Sequence, residues 1–170
     1  MQKNGSILVV DDEEIMREIL ETLLKSEGYS VRLAASGEEG IELARNIPFD
    51  AAIVDVMMPG IDGMATLEAL KKLDDELAVI MVTAYASVEN AITSMKRGAF
   101  DYITKPFKND EVLVVVRNAL EQRRLVHENR NLRQNIQERY HKFANIIGRS
   151  PRMRQVFDLI IQWRRAGRPS

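Results

Sequence analysis

Short apolar runs alternate with longer segments of helical periodicity over the first two thirds of this chain, and this alternation constrains the fold more than any other feature. Such runs occupy residues 7–10, 51–54 and 79–82, and a shorter one covers 100–103. Strands that alternate with helices in this way, about five times, favour a parallel sheet with helices on both faces. We therefore predict an α/β fold, doubly wound about a parallel sheet.

The segments between the runs carry residues that start and stop helices. Residues 13–27 place apolar side chains on one face and end at Gly28, and glycine commonly follows the end of a helix. Ser36 precedes an acidic first turn, as an N-cap residue does. Further helices are predicted near residues 62–73 and 87–97.

Composition narrows the class of protein. The chain has 170 residues, of which 45% are hydrophobic, enough for one ordinary domain and an appendage. It contains no cysteine and only two histidines, which excludes disulfides and thiolate sites and disfavours a multi-histidine metal centre. No basic segment leads into a long apolar stretch, and no run of about 18 apolar residues occurs, so we expect a cytoplasmic protein without a membrane span.

Charge is unevenly distributed along the chain. Residues 1–117 hold 12 basic and 21 acidic side chains, whereas residues 118–170 hold 12 basic and 4 acidic ones. This asymmetry indicates an acidic compact domain followed by a basic tail. The tail is either a solvated helix surface or a nucleic-acid-binding surface. Because no recognisable DNA-binding motif is present, we expect no direct DNA contact.

The tail lies in a long segment, residues 110–147, that contains neither glycine nor proline. Spacings of four, three and four residues separate the members of an apolar seam within it, Leu125, Asn129, Leu132 and Ile136. Such a seam is typical of a coiled-coil dimer, in which an asparagine fixes register and oligomeric state. The alternative is a single surface helix that packs on its own domain.

Polar residues follow four of the predicted strands. Asp11 and Asp12 follow the run 7–10, Asp55 the run 51–54, Thr83 the run 79–82 and Lys105 the run 100–103. Because ligands bind beyond the carboxyl ends of parallel strands, we expect these side chains to form one site. Magnesium prefers oxygen ligands, and a carboxylate beside it can attack a phosphoryl donor while a lysine and a hydroxyl bind the transferred oxygens. Each residue alone would be an ordinary cap or turn former, but together they predict a magnesium and phosphoryl-transfer site.

Four motifs make residues 1–120 resemble a response-regulator receiver domain. They are Ile7-Leu-Val-Val-Asp-Asp-Glu-Glu, Val54-Asp-Val-Met-Met-Pro-Gly-Ile-Asp-Gly, Val82-Thr-Ala-Tyr and Gly98-Ala-Phe-Asp-Tyr-Ile-Thr-Lys-Pro-Phe. The resemblance implies a flavodoxin-like, five-stranded sheet of order 2-1-3-4-5. It also implies a signalling module that receives its phosphoryl group from a sensor histidine kinase and is not otherwise an enzyme.

The resemblance assigns the acceptor and the metal ligands. It implies that Asp55 is the phosphoacceptor. It further implies that Asp12, Asp55 and the main-chain carbonyl of Met57 bind magnesium, while Asp11 acts largely through water. Magnesium is therefore the expected cofactor.

The resemblance also assigns a switch. It implies that Thr83 and Lys105 contact the phosphoryl group and that the Lys105–Pro106 peptide is cis. Tyr102 matches the aromatic residue that changes rotamer when the threonine moves. We expect the surface formed by residues 84–105 to change as a result.

The segment after the seam resembles part of a more specific group of regulators. Phe143-Ala-Asn-Ile-Ile-Gly-Arg-Ser-Pro-Arg-Met-Arg-Gln-Val-Phe looks like the opening of the AAA+ ATPase domain in NtrC/DctD-like regulators, which activate the enhancer-dependent sigma factor. In those regulators a helical linker, here residues 121–142, joins receiver to ATPase. Residues 143–170 would be a truncated start of that domain, with Gly148 ending one helix and Ser150-Pro151 starting the next.

We expect no ATPase activity, because no G-x-x-x-x-G-K-[ST] motif is present to bind the phosphates of ATP. The final residues, Trp163-Arg-Arg-Ala-Gly-Arg-Pro-Ser, depart from the family pattern. The chain is therefore expected to be either a fragment or a naturally shortened gene product.

Three other interpretations stay open from the sequence. A flavodoxin-like enzyme or nucleotide-binding protein would need a glycine-rich loop where Asp11-Asp12-Glu13-Glu14 stands. A carboxylate-nucleophile phosphatase would carry its nucleophile after the first strand, whereas Asp55 follows the run 51–54. A structural or interfering dimeriser, with vestigial phosphorylation, would keep the two-fold homodimer that we expect to form through the receiver and the linker helix.

Overall fold

The computed structural model of this chain describes residues 4–85, 87–147 and 151–166. One parallel sheet contains five strands: β1 (Ser6–Val10), β2 (Ser30–Ala34), β3 (Ala51–Asp55), β4 (Ala78–Thr83) and β5 (Asp101–Thr104). Their order is β2-β1-β3-β4-β5, and each neighbouring pair is parallel. The predicted fold class and strand order are confirmed.

Six helices connect or follow these strands in the described part of the chain: α1 (Glu14–Ser26), α2 (Gly37–Asn46), α3 (Gly63–Leu73), α4 (Val88–Lys96), α5 (Asn109–Ile147) and α6 (Pro151–Ala166). The caps agree with the sequence signals. The Ser36 side chain accepts a hydrogen bond from the Glu39 N–H, and Asp62 and Ser87 cap α3 and α4 in the same way. Gly28, after α1, has a φ of 87°, which favours glycine.

Both faces of the sheet are covered, and its central strands are therefore apolar along their length. Leu8 and Val10 of β1 pack with α2 and α3, whereas Ile7 and Val9 pack with α1 and α5. All four side chains are fully buried. The start of α5 completes the second face through Val112.

Helix α5 includes the predicted linker and continues without a break to Ile147. The chain divides into two compact units, Met1–Val126 and His127–Ser170. Gly148 and Ser150, the predicted helix end and helix start, lie outside the described residues. Among the helices that are described, none is long and apolar enough to cross a lipid bilayer.

Candidate functional site

The carboxyl ends of the strands bring the predicted site residues to one edge of the sheet. Val10 pairs with Val54 in the register of β1 and β3, so Asp11 and Asp55 follow at neighbouring positions. The strand order reverses here, because β2 lies on one side of β1 and β3 on the other. Open parallel sheets bind their ligands at such reversals.

Three carboxylates meet at this reversal. One oxygen from each of Asp11, Asp12 and Asp55 lies within 4.8 Å of the other two. Asp11 and Asp55 are buried, whereas Asp12 is open to solvent. Magnesium takes carboxylate oxygens and keeps several of its waters, so a partly open set of three carboxylates fits this ion.

Lys105 is the basic partner of the buried carboxylates. Its Nζ donates a hydrogen bond to Asp11 Oδ2 at 2.9 Å and lies 3.5 Å from Asp55 Oδ2. The peptide between Lys105 and Pro106 is cis, as expected, and the Lys105 N–H donates to the Thr83 carbonyl at 2.7 Å. The lysine thus connects the end of the edge strand β5 with the ends of β1 and β3.

Burial, neighbouring charges and hydrogen bonds determine the protonation of Asp55 and Lys105. Desolvation, followed by the charge of Asp11, raises the pKa of Asp55 to about 6, against the opposing effects of Lys105 and the Met57 N–H. Burial lowers the pKa of Lys105, but the hydrogen bond and charge of Asp11, together with the charge of Asp55, outweigh it and raise that pKa. With the lysine charged, the three carboxylates retain a surplus of negative charge that a divalent cation would offset.

Backbone donors and one arginine hold the loops that carry the carboxylates. The Met57 N–H donates to Asp55 Oδ1 at 3.2 Å, and the Glu13 N–H donates to Asp11 Oδ1 at 2.9 Å. Arg17 Nη1 donates to the carbonyl of Asp11 at 2.8 Å. The sequence pattern did not identify Arg17. The only sequence feature that points to it is its position as a basic residue in the helix after the acidic stretch Asp11-Asp12-Glu13-Glu14.

The two predicted switch residues meet at the backbone of Tyr85. Thr83 is buried, and its Oγ1 accepts a hydrogen bond from the Tyr85 N–H at 3.1 Å. Tyr102 is half-buried, and its hydroxyl lies 3.5 Å from the Tyr85 carbonyl oxygen. Burial raises the pKa of the Tyr102 hydroxyl, so the hydroxyl keeps its proton and can donate. Any movement of Tyr85 therefore affects both side chains.

Residues 7–117 match the family of the response regulator receiver domain. The chain is 38% identical over 151 residues to the C4-dicarboxylate transport transcriptional regulatory protein DctD of Pseudomonas aeruginosa. This alignment covers 88% of this chain and 32% of that protein. The chain is also 43% identical over 117 residues to the transcriptional regulatory protein ZraR of Escherichia coli. That alignment covers 69% of this chain and 26% of ZraR.

Solved structures agree with these relatives. NtrX from Brucella abortus in complex with ATP superimposes with a TM-score of 0.73 and 34% identity, over 76% of this chain and 30% of that one. A CheY-like receiver domain protein from Methanospirillum hungatei gives a TM-score of 0.68 and 35% identity, over 70% of this chain and 95% of that one. The chain spans from 26% to 53% of the length of curated relatives that it matches. Because the matched residues form the whole sheet and its acidic edge, the chain belongs to the family of response regulator receiver domains, the phosphorylatable modules of two-component systems.

Proposed function

We propose that Asp55 accepts a phosphoryl group from a sensor histidine kinase and that the modification changes the surface formed by residues 84–105. The observation that carries this proposal is the grouping of Asp55 with two more carboxylates and with Lys105 at the strand-order reversal. A carboxylate in such surroundings can act as a nucleophile towards phosphorus. Asp55, with a pKa of about 6, is largely ionised at neutral pH and above.

In the transfer, a carboxylate oxygen of Asp55 forms a bond to phosphorus as the bond between phosphorus and the kinase imidazole nitrogen breaks. The electron pair of the broken bond leaves with that nitrogen. Lys105 Nζ and the Thr83 hydroxyl bind the transferred oxygens and stabilise their charge. Magnesium, held by Asp11, Asp12, Asp55 and the Met57 carbonyl, would neutralise charge on the carboxylates and the phosphoryl group.

The readout begins at Thr83. If its hydroxyl moves towards the phosphoryl group, the hydrogen bond that it accepts from the Tyr85 N–H must lengthen or break. Tyr102, whose hydroxyl approaches the Tyr85 carbonyl, can then adopt another rotamer. A local change of charge thereby biases a two-state element.

Helix α1 supplies a surface suited to the kinase. It begins three residues after Asp11, and its Ile15 and Ile19 are 71% and 44% exposed. An apolar pair four residues apart forms one stripe on a helix. A kinase that binds this stripe would place its phosphohistidine beside the carboxylates.

We propose that residues 121–142 form a helical linker that pairs two copies of the chain. Leu125, Leu132 and Ile136 are 52%, 61% and 66% exposed in a single copy, and Asn129 is exposed with them. A two-fold coiled coil would bury these side chains, each Å² of apolar surface contributing about 25 cal/mol. The receiver, residues 1–120, would contribute to the same homodimer.

The output proposed for this switch is control of an ATPase that activates transcription. DctD and ZraR are transcriptional regulatory proteins, and this chain matches about a third or less of each. Residues 143–170 would be the start of the AAA+ domain. Lacking the phosphate-binding motif, this chain is proposed to have no ATPase activity of its own.

Intact mass measured after incubation with magnesium and acetyl phosphate tests the acceptor. Wild-type protein should gain the mass of one phosphoryl group, and Asp55→Ala should gain none. Asp62→Ala, which removes an exposed helix-capping carboxylate from the loop after β3, is the control and should still be phosphorylated. An adduct on Asp55→Ala, or none on wild type, contradicts the assignment.

Sedimentation before and after phosphorylation tests the linker. Leu132→Asp should weaken the dimer, because it places a charge in the seam. Gln134→Asp, two residues further along the same helix and outside the seam, should sediment like wild type. If Leu132→Asp also sediments like wild type, the seam does not hold the dimer.

A further inference from the structure

The loop between β3 and α3, residues 56–62, carries the Met57 carbonyl and must hold it in place. The first part of the loop is fixed by the sheet, because the Val56 N–H donates to the Val82 carbonyl at 2.9 Å. The far part includes Gly60, which is exposed and has a φ of 79°. A glycine in this conformation can move readily unless a neighbour restrains it.

Glu38 supplies such a restraint from a different helix. Its Oε1 accepts a hydrogen bond from the Ile61 N–H at 3.2 Å, across 23 residues of sequence. The first turn of α2 also lies close against the loop. A Cβ built at Gly37 would come within 3.2 Å of the Ile61 carbonyl oxygen, and one at Gly60 within 2.9 Å of Glu38 Oε1.

The carboxylate of Glu38 is held ionised for this contact. Backbone N–H groups of Glu38 itself and of Ile61, together with the Ser36 hydroxyl, lower its pKa. As the second residue of α2, it also lies at the positive end of the helix dipole. A charged acceptor makes the stronger kind of hydrogen bond to a backbone donor.

We propose that Glu38 is a positioning residue for phosphoryl transfer, tethering the β3–α3 loop so that the Met57 carbonyl is held at the acidic cluster. The inference rests on the proposed magnesium and phosphoryl chemistry of Asp55. Without the tether the loop spends less time in the binding-competent arrangement, and the apparent affinity for magnesium falls in proportion to that fraction. For one exposed hydrogen bond, the loss is about threefold.

Two substitutions at Glu38 and one control separate the tether from other effects. Glu38→Ala removes the acceptor, whereas Glu38→Gln keeps an acceptor oxygen and loses only the charge. Glu42→Ala removes another exposed carboxylate from the same helix, one that pairs with Arg45 at 3.2 Å. Magnesium affinity is measured by calorimetry on the full chain, and exchange of the Ile61 amide hydrogen is measured alongside it.

Glu38→Ala should exchange the Ile61 amide faster and bind magnesium about threefold more weakly. Glu38→Gln should restore most of the affinity, and Glu42→Ala should match wild type in both measurements. Unchanged magnesium affinity in Glu38→Ala overturns the proposal, as does an equal loss in Glu42→Ala or a Glu38→Gln variant no better than Glu38→Ala. If wild type itself neither binds magnesium nor becomes phosphorylated, the proposed function fails, and the role of Glu38 fails with it.

Discussion

Each end of β3 gathers carboxylates around one basic side chain, and the two clusters differ in burial and in how fully their charges are paired. At the amino end, Arg123 of α5 lies between two carboxylates, with Nε 3.2 Å from Asp50 and Nη1 3.1 Å from Asp74. The second oxygen of Asp50 accepts the Ser6 N–H at 2.9 Å. Both carboxylates are about 40% exposed, so water completes their solvation.

At the carboxyl end, burial is much deeper and pairing is incomplete. The side chains of Asp11 and Asp55 are 3% and 6% exposed, and Lys105 serves both of them while Asp12 adds a further charge. Burial, followed by the charge of Asp11, disfavours the ionised form of Asp55, and the pKa of Asp55 is raised for these reasons. The solvated, paired cluster thus connects elements of the fold, whereas the buried cluster, whose negative charges are only partly neutralised, is suited to binding a ligand.

Removing the basic residue at each end of β3 should have different effects on the rate of phosphorylation. The larger effect is expected at Lys105. Lys105→Met should slow phosphorylation by acetyl phosphate about 100-fold, because it removes the charge that is proposed to stabilise the transferred oxygens. Arg123→Met should be phosphorylated at the wild-type rate. The time course of the mass adduct gives both rates. Equal rates in the two variants would remove the functional distinction between the clusters.

The sequence could predict the carboxyl-end cluster because strand ends mark its members. Asp11, Asp55 and Thr83 each stand directly after or at the end of an apolar run, and parallel strands bring such positions together. Periodicity alone does not specify which strands are neighbours, so the strand order came from the family resemblance. Strand β2 was the least visible, because Arg32 interrupts it and Ser30 is exposed, as suits an edge strand.

The amino-end cluster could not be predicted in the same way. In the sequence, Arg123 is one of 12 basic residues in the tail, and Asp50 and Asp74 have the form of ordinary loop residues. Only the packing of α5 on the sheet brings the three together, across 49 residues between Arg123 and Asp74. The contact of Glu38 with Ile61 has no sequence signal either, because an acidic residue in a first helical turn is already explained by the helix dipole.

Arg123→Met, which should leave the rate of phosphorylation unchanged, should instead reduce the stability of the fold. Arg123→Met should lower the free energy of unfolding by about 1–2 kcal/mol, because it leaves Asp50 and Asp74 without their shared cation. Urea unfolding, followed by circular dichroism, measures this change. Arg45→Met removes an exposed pair with Glu42 and should change stability by less than about 0.5 kcal/mol. A loss as large in Arg45→Met would mean that the amino-end cluster is an ordinary surface ion pair.

The smallest expected effect is a gain in stability when Asp55, the proposed acceptor, is neutralised. In EDTA at pH 7.5, Asp55→Asn should be more stable than wild type by about 1 kcal/mol, a value discounted for the solvent that reaches the cluster. The sign of this difference follows from the pKa of Asp55, which is about 6 in the folded state against an ordinary value of 3.8 in the unfolded chain. The folded protein binds the proton more tightly, so wild type carries the full cost of the ionised carboxylate above pH 6 and loses it progressively as pH falls from about 6 to 3.8.

The advantage of Asp55→Asn should therefore shrink between pH 7.5 and pH 5, as measured by urea unfolding at each pH. Asp50→Asn, at the paired end of the same strand, should be no more stable than wild type at pH 7.5, because Asp50 accepts the Ser6 N–H and meets Arg123. Magnesium should also remove the advantage, because it should stabilise wild type more than a variant that lacks one of the proposed ligands. If Asp50→Asn gains as much as Asp55→Asn, surplus charge is not confined to the carboxyl end, and the contrast between the two ends of β3 is wrong.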